Sequence, residues 1–140
     1  MSEVPRPFVS VPSGALRAMA AHGYTCFPEE MCGLLVGDRA ARRVDRFVPV
    51  TNVAASARVY TIDPGEHLRA ELAAEAEGLE IIGVVHSHTH TEPYPSPTDV
   101  AQAPDPGWHY IIVSLKRGAP ETRSYLIEGE VITEETIVPL

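Results

Sequence analysis

Residues 81–99 read IIGVVHSHTHTEPYPSPTD, and this stretch says most about the fold. Its first part, Ile81–Val85, is a short apolar run rich in β-branched residues, which is typical of a central strand covered on both faces. A proline-rich loop follows, and Ser96 with Asp99 three residues later forms the pattern of a capping box at the start of a helix. We therefore expect a buried strand, a stiff loop and a short helix, in this order.

Two longer helices are predicted before this stretch. The first follows a short strand at Phe8–Val11, with Ser13 as its expected N-cap, and its buried face is formed by residues at helical spacing: Leu16, Met19, Ala20 and Gly23. The second opens with an N-cap acceptor, a proline and a glutamate, which together favour a helix start: Asp63, Pro64 and Glu66. Its predicted buried stripe consists of Leu68, Leu72, Ala76 and Leu79.

The remaining apolar segments are predicted as strands: Met31–Val36, Arg42–Val50, His109–Leu115, Arg123–Ile127 and Val131–Val138. Strands that alternate with helices indicate a mixed sheet with helices on its faces. We therefore expect residues 1–140 to form a single α/β domain with α/β/α layers. Ligands in such folds bind where strands end, so the residues that follow Val85 are the first candidates for a functional site.

Charge, cysteine content and hydropathy argue against several classes of protein. The chain has 140 residues and a formal net charge of −8, and this acidic balance argues against nucleic acid as a partner. Cys26 and Cys32 are too few for a disulfide framework and lack the Cys-x-x-Cys spacing of a structural zinc site. No segment approaches the roughly 18 apolar residues of a membrane span, and Met1–Pro12 does not resemble a signal peptide. We expect a cytoplasmic protein.

His86 and His88 lie at the predicted carboxyl end of the central strand, where side chains two residues apart point the same way. Asp99 follows in the first turn of the short helix. Two imidazoles and one carboxylate suit Zn²⁺, about one ion per chain, with water in the fourth position of an open, catalytic type of site. Two simpler interpretations stay open: solvated histidines, and a capping box at Ser96 and Asp99 that needs no metal.

A further carboxylate precedes a buried strand, in the sequence Glu30-Met31-Cys32-Gly33. Taken alone, Glu30 is an ordinary surface glutamate at a strand start. Its neighbour Glu29 competes for the role on sequence grounds.

Together these residues resemble the JAMM (MPN-plus) metallopeptidases. The pattern of that family is a Glu ahead of a strand, then His-Ser/Thr-His, seven residues, Ser, two residues and Asp. The chain matches it throughout, at Glu30, His86, Ser87, His88, Ser96 and Asp99. The resemblance implies a cytidine-deaminase-like fold and a zinc ion held by His86, His88 and Asp99.

The resemblance also implies two catalytic roles, with Glu30 as the general base and Ser96 as a donor to the oxyanion. It favours Glu30 over Glu29 because the family's base stands two residues before the Cys-Gly that is numbered 32 and 33 here. The likeness is strongest to the bacterial Mec branch, in segments such as 28–37 and 86–100. One departure is His90, where we expect a small residue in that branch and therefore a different local shape of the substrate groove.

Members of the Mec branch remove cysteine from the C-terminal Gly-Gly of a ubiquitin-like sulfur-carrier protein during cysteine synthesis. The resemblance thus implies hydrolysis of a Gly–Cys amide on such a partner. An alternative is the trimming of another ubiquitin-like sulfur carrier to expose its Gly-Gly terminus. A third possibility is a non-catalytic scaffold of the same fold, although such proteins usually lack some of the ligands.

Other metal folds fit the sequence less well. His86, His88 and Glu92 match the first part of a cupin motif, but the glycines expected around it are absent and helices do not belong in that barrel. His90 would complete a metallo-β-lactamase triplet, but the Asp-His that should follow is missing. Zinc deaminases are excluded because their Cys-x-x-Cys ligands are absent.

Several other residues have two interpretations. Four arginines form a cluster that is either a docking patch for an acidic carrier or, as we prefer, a solvated hairpin: Arg39, Arg42, Arg43 and Arg46. Cys32 is either a reactive thiol or a small core residue, and its place beside a buried strand favours the core. The spacing of His22, His67 and His109 does not recommend them as ligands.

Overall fold

The computed structural model describes residues 6–140, and expectations for residues 1–5 lie outside the described residues. Strands and helices follow one another in this order: β1 (Phe8–Val11), α1 (Ser13–Cys26), β2 (Cys32–Asp38), β3 (Arg43–Val50), α2 (Pro64–Ala76), β4 (Glu80–His88), α3 (Pro97–Ala101), β5 (His109–Ser114), β6 (Glu121–Glu128) and β7 (Val131–Pro139). The predicted strands and helices are all present, with bounds shifted by a few residues.

The strands form one mixed sheet in the order β1, β3, β2, β4, β5, β6, β7. β4 runs parallel to β5, and β1 runs parallel to β7, whereas β2 is antiparallel to both β3 and β4. The predicted mixed sheet is therefore confirmed. The sheet also closes on itself. β1 pairs with β7, and it pairs with β3 as well, through Ser10 and Arg43.

Helices α1 and α2 cover opposite faces of the sheet, as the layered prediction requires. On β2, Leu35 packs in the same cluster as Met19 of α1. The neighbouring Leu34 packs in a different cluster with Ala70 and Ala74 of α2. Because side chains alternate along a strand, each face of β2 is buried under a different helix.

A β-bulge in β4 sets which way the histidines point. Leu35 pairs with Gly83 and the next residue of β2 pairs with Ile81, so Ile82 is left without a partner across the strands. Gly83 is required at this place, because a Cβ there would lie 2.2 Å from the carbonyl oxygen of His109. Beyond the bulge the alternation resumes, and it places His86 on the face opposite to Val85.

Two details of the predicted helices are wrong. Ser13 does not cap α1: it is the first helical residue, Pro12 occupies the N-cap position, and no side chain caps the helix. On α2 the stripe predicted from large apolar residues faces solvent, with Leu68 54% and Leu72 56% exposed and Ala76 also exposed. The helix instead packs through Ala70 and Ala74, since these small side chains let its backbone come close to the sheet. Leu79, beyond the helix, is partly buried against the same cluster.

Candidate metal centre and active site

Three potential metal-ligand atoms converge at the end of β4. The Nε2 atoms of His86 and His88 are 3.1 Å apart, and Oδ2 of Asp99 lies 3.2 Å from the first and 3.0 Å from the second. The three side chains are buried, and within residues 6–140 they form the one such group of His, Cys, Asp and Glu side chains. The structure therefore brings together all three ligands expected from the sequence.

Each histidine is held by a contact outside this group. The ring of His86 stacks on Tyr60, with 4.5 Å between ring centroids. Nδ1 of His88 lies 2.8 Å from the carbonyl oxygen of Glu92. Because a carbonyl only accepts, Nδ1 must carry the proton, which leaves Nε2 with a free lone pair facing Asp99.

Asp99 caps helix α3 and also directs a carboxylate oxygen toward the histidines. Its Oδ2 accepts the backbone N–H of Ser96 at 2.9 Å, and Oγ of Ser96 accepts the N–H of Asp99 at 3.1 Å, so the predicted capping box is present. Burial opposes ionisation of Asp99, but the neighbouring imidazoles of His86 and His88 and the backbone N–H of Ser96 outweigh it and hold the pKa of Asp99 well below its usual range. The cap thus orients an anionic oxygen toward the histidines.

The loop between β4 and α3 is fixed at several points. Oγ of Ser114 donates to the carbonyl of Thr91 at 2.6 Å. The hydroxyl of Tyr125 donates to the carbonyl of Pro93. These bonds, together with the prolines, determine where Ser96 and Asp99 lie relative to the histidines.

Glu30 lies just before β2 and is 4% exposed, whereas Glu29 is exposed. Oε1 of Glu30 is buried and has no hydrogen-bond partner in the described part of the chain. Burial raises the pKa of Glu30 to about 8; His88 opposes this shift and the Asp99 carboxylate adds to it. The structure therefore places Glu30, and not Glu29, as a carboxyl group with a free oxygen beside the histidines.

The backbone around Glu30 is tied to two other segments. Its N–H donates to the carbonyl of Ser56 at 2.8 Å, and its carbonyl accepts the side-chain amide of Asn52 at 3.0 Å. The next residue, Met31, donates its N–H to Oγ of Ser87 at 2.8 Å. Glu30 is thus fixed against both β4 and the loop that follows β3.

One cavity of about 560 Å³ joins these groups. It is lined by Glu30, Ala57, Arg58, His88, Thr89, His90, Thr91 and Ser96. His90 is exposed at its rim, where its Nδ1 lies 2.9 Å from Oγ1 of Thr89. A substrate in this cavity would therefore contact Glu30, His88 and Ser96 together.

The ligand atoms fit a tetrahedral zinc site. Zinc bonds of about 2.0–2.1 Å at tetrahedral angles place two ligand atoms roughly 3.3 Å apart, close to the 3.0–3.2 Å separations found here. Two imidazoles and a carboxylate are donors that zinc prefers, and three protein ligands leave a position open. The residues present therefore fit a catalytic zinc ion.

The structure argues against the cupin and metallo-β-lactamase metal sites. The Glu92 carboxylate, which a cupin would use as a ligand, pairs instead with Lys116 and Arg117 on the surface. His90 is exposed and is not part of the group that His86 and His88 form with Asp99, so the metallo-β-lactamase triplet is absent from the described residues.

The contacts of the remaining candidate residues indicate structural roles. Nδ1 of His109 is 2.6 Å from Oε2 of the buried Glu135, far along β5 from the metal ligands. Cys32 is fully buried, and burial raises the pKa of its thiol to about 12, which favours the core interpretation. In the hairpin between β2 and β3, three of the four clustered arginines pair with nearby acidic residues: Arg39, Arg43 and Arg46. These ion pairs favour a solvated hairpin.

Sequence reasoning missed two residues of the site. Tyr60, which stacks on His86, and Arg58, which lines the cavity, lie in the irregular segment between β3 and α2. No spacing rule connects them with the histidines, because a loop of this kind is placed by tertiary contacts. The hydrogen bonds that position this loop come from residues far away in the sequence, so the sequence alone carries no signal for these two residues.

Comparison with known proteins agrees with the geometry. The family model for prokaryotic homologs of the JAB domain matches residues 12–128. The chain therefore belongs to this family. The resemblance to the JAMM metallopeptidases that the sequence indicated is confirmed, as is the α/β fold with a mixed sheet.

Individual relatives extend this result. The CysO-cysteine peptidase of Mycobacterium tuberculosis is 40% identical over 123 residues, which cover 87% of this chain and 84% of the relative. The desampylase of Haloferax volcanii is 46% identical over 88 residues, 62% of this chain and 63% of the relative. The solution structure of protein DSY2949 from Desulfitobacterium hafniense superposes with a TM-score of 0.86 at 32% identity, covering 94% of this chain and 92% of that one. None of the helices described here has both the length and the apolar character that crossing a membrane requires.

Proposed function

We propose that the protein is a zinc-dependent peptidase that hydrolyses the Gly–Cys amide at the C-terminal Gly-Gly of a ubiquitin-like sulfur-carrier protein and releases cysteine. One observation carries the proposal: the three metal-ligand atoms converge beside a cavity that is lined by Glu30, His88 and Ser96, and Glu30 has a carboxyl oxygen without a hydrogen-bond partner. The substrate class follows the 40% identity to the CysO-cysteine peptidase over most of both chains.

His86, His88 and Asp99 would hold one zinc ion per chain. When bound, the ion would supply an activated water and polarise the scissile carbonyl. The hydrogen bond from Nδ1 of His88 to Glu92 supports this role, because it keeps Nε2 available as a ligand.

Glu30 acts as the general base in this proposal. Its free oxygen accepts a proton from the attacking water, and the same carboxyl group then delivers a proton to the leaving amine. Burial favours the protonated form of the Glu30 carboxyl group by raising its pKa, and the protonated form is the one that donates to the leaving amine.

Ser96 donates its hydroxyl hydrogen to the developing oxyanion. Oγ of Ser96 already accepts the N–H of Asp99, so the position of this oxygen is fixed while its hydrogen is free to point into the cavity. A donor held in advance stabilises the transition state more than one that must reorient.

The decisive experiment uses three substrates and intact-mass spectrometry. The zinc-loaded protein is incubated with a ubiquitin-like sulfur carrier that ends in Gly-Gly-Cys, with the same carrier extended by several residues, and with the carrier joined through an isopeptide to a lysine. We expect release of cysteine from the first. Action on the extended carrier alone would favour the alternative trimming function, and cleavage of the isopeptide alone would favour removal of conjugates.

Matched variants link the result to the site. Glu30→Gln removes the base and should abolish turnover while zinc stays bound. Glu29→Gln changes the neighbouring, exposed carboxylate by the same atoms and should leave turnover unchanged. Equal activity of the wild type and Glu30→Gln would contradict the assigned base, and inactivity of the wild type on every carrier would contradict the function.

A further inference from the structure

We propose that Arg58 binds the α-carboxylate of the residue released from the substrate, and that the protein therefore prefers substrates with one residue after the scissile bond. This inference rests on the proposed function and adds a specificity-determining residue to it. It starts from the cavity lining, where Arg58 is, among the described residues, the one side chain with a permanent positive charge.

The loop that carries Arg58 is fixed to the site by three hydrogen bonds. Ser56 and Asn52 bond to the backbone of Glu30. The carbonyl of Ala57 accepts the hydroxyl of Thr89 at 3.3 Å, which ties the loop to the residue after the metal ligands. Oγ of Ser56 accepts the backbone N–H of Arg58 at 3.0 Å. Arg58 is thus positioned at the cavity by bonds to both of its walls.

The guanidinium of Arg58 is available for a ligand. Within residues 6–140, Arg58 is among the arginines that form no ion pair, whereas five others pair with carboxylates: Arg39, Arg43, Arg46, Arg117 and Arg123. The chain is acidic overall, with a formal net charge of −8, so it has enough acidic residues to pair with every arginine. Arg58 nevertheless forms no ion pair within the described residues. A guanidinium binds a carboxylate through two parallel hydrogen bonds.

The position of Arg58 corresponds to the leaving side of the substrate. Glu30 delivers the proton to the leaving amine, and the loop that carries Arg58 is bonded to the N–H and the carbonyl of Glu30. In a single released amino acid the carboxyl carbon lies only about 2.5 Å from the amine nitrogen. A receptor for that carboxylate must therefore share the cavity with Glu30, and Arg58 lines the same cavity. A longer tail would place a neutral amide there.

The test compares two carriers that differ in one group: one ends in Gly-Gly-Cys with a free carboxylate, and the other ends in the same residues with a carboxamide. We expect the wild type to prefer the acid by roughly 10-fold or more in kcat/KM, since a charged carboxylate binds a guanidinium more strongly than a neutral amide does. Arg58→Gln should remove the preference, so that kcat/KM for the acid falls to about that for the amide. Arg58→Lys should restore part of the preference.

Arg17→Gln is the matched control, because it removes the same charge from an exposed position on α1 and should keep the preference. Equal kcat/KM for acid and amide in the wild type, while both are cleaved, would overturn the role of Arg58 and leave the proposed function intact. Unchanged preference in Arg58→Gln would overturn it as well. Cleavage of neither carrier by the wild type would overturn the proposed function and this inference with it.

Discussion

Ser87 and Met31 hold each other through two hydrogen bonds. Oγ of Ser87 accepts the N–H of Met31 at 2.8 Å, and the N–H of Ser87 donates to the carbonyl of Met31 at 3.1 Å. Ser87 stands between the two histidines, and Met31 follows Glu30. The serine between the histidines therefore fixes the distance from Glu30 to the metal ligands, although its own side chain points to the other face of β4.

Ser87→Ala should weaken both stability and turnover. It leaves the buried N–H of Met31 without an acceptor, which costs about 1–3 kcal/mol in the free energy of unfolding. Turnover should fall because Glu30 loses its anchor, while zinc content stays the same. Ser87→Thr retains the hydroxyl and should restore most of the activity. Urea unfolding, elemental analysis and steady-state kinetics measure the three quantities; a loss of zinc in Ser87→Ala would show that the serine supports the ligands instead.

The purified protein should contain about one zinc ion per chain, removable by a chelator and restored by added zinc. His88→Ala and Asp99→Ala should each empty the site, because two remaining ligands hold zinc poorly. His90→Ala is the matched control. It removes a histidine two residues after His88 that is not part of the ligand group, and the variant should keep the metal. Elemental analysis checks all four proteins. Active protein without a transition metal would contradict the metal assignment.

Ser96→Ala should affect turnover more than stability. Loss of one well-placed oxyanion donor costs roughly 2.7–4 kcal/mol of transition-state stabilisation. Loss of the N-cap of α3 costs about 1 kcal/mol of folding stability. Ser96→Gly separates the two effects, because glycine is a tolerable N-cap without a donor: it should recover the stability and not the turnover. An unchanged kcat in Ser96→Ala would leave Ser96 with its capping role alone.

The sequence predicted those parts of the site that depend on local order. The β4 run, the His-x-His alternation and the capping box at Ser96 are each set by a few adjacent residues, and the structure has all of them. The closure of the sheet, the bulge at Ile82 and the contact of Tyr60 with His86 depend on residues far apart in the chain. Periodicity carries no information on such pairings.

The buried face of α2 is a more instructive error. Two apolar stripes at helical spacing compete on this helix, one with Leu68 and Leu72 and the other with Ala70 and Ala74. Size favours the leucines, but close approach of the helix to the sheet favours the alanines. The choice between them is made by the surface of the sheet, which the helix sequence does not contain.

This packing of α2 predicts an unusual pair of outcomes. Leu68→Ala and Leu72→Ala should each change the free energy of unfolding by no more than about 0.5 kcal/mol, because these side chains are more than half exposed. Ala74→Leu should instead cost about 1–3 kcal/mol, because it adds volume to a fully buried contact. Urea unfolding followed by circular dichroism measures all three variants. Large losses for the two leucine variants would show that the leucines are the buried face.

The buried carboxyl group of Glu30 should make the metal-free protein less stable as pH rises. Burial raises the pKa of Glu30 in the folded protein from its ordinary value of 4.5 to about 8. Below this ordinary value of 4.5 both states are protonated, and the stabilising contribution of the neutral carboxyl group is complete. That contribution is lost as pH rises toward 8, because the unfolded state then ionises its glutamate while burial keeps the folded carboxyl group neutral. Its full size is at most about 5 kcal/mol, since one pKa unit corresponds to 1.36 kcal/mol.

Glu30→Gln cannot ionise, so its stability advantage over the chelator-treated wild type should grow between pH 5 and pH 8 and stay constant above that. Glu29→Gln, which alters an exposed carboxylate beside it, should follow the wild type at every pH. Urea unfolding at pH 5, 7 and 9 measures the differences in the free energy of unfolding. A constant difference between wild type and Glu30→Gln over this range would show that Glu30 is ionised throughout in the folded protein, and that burial does not supply a carboxyl group poised to exchange protons near neutral pH.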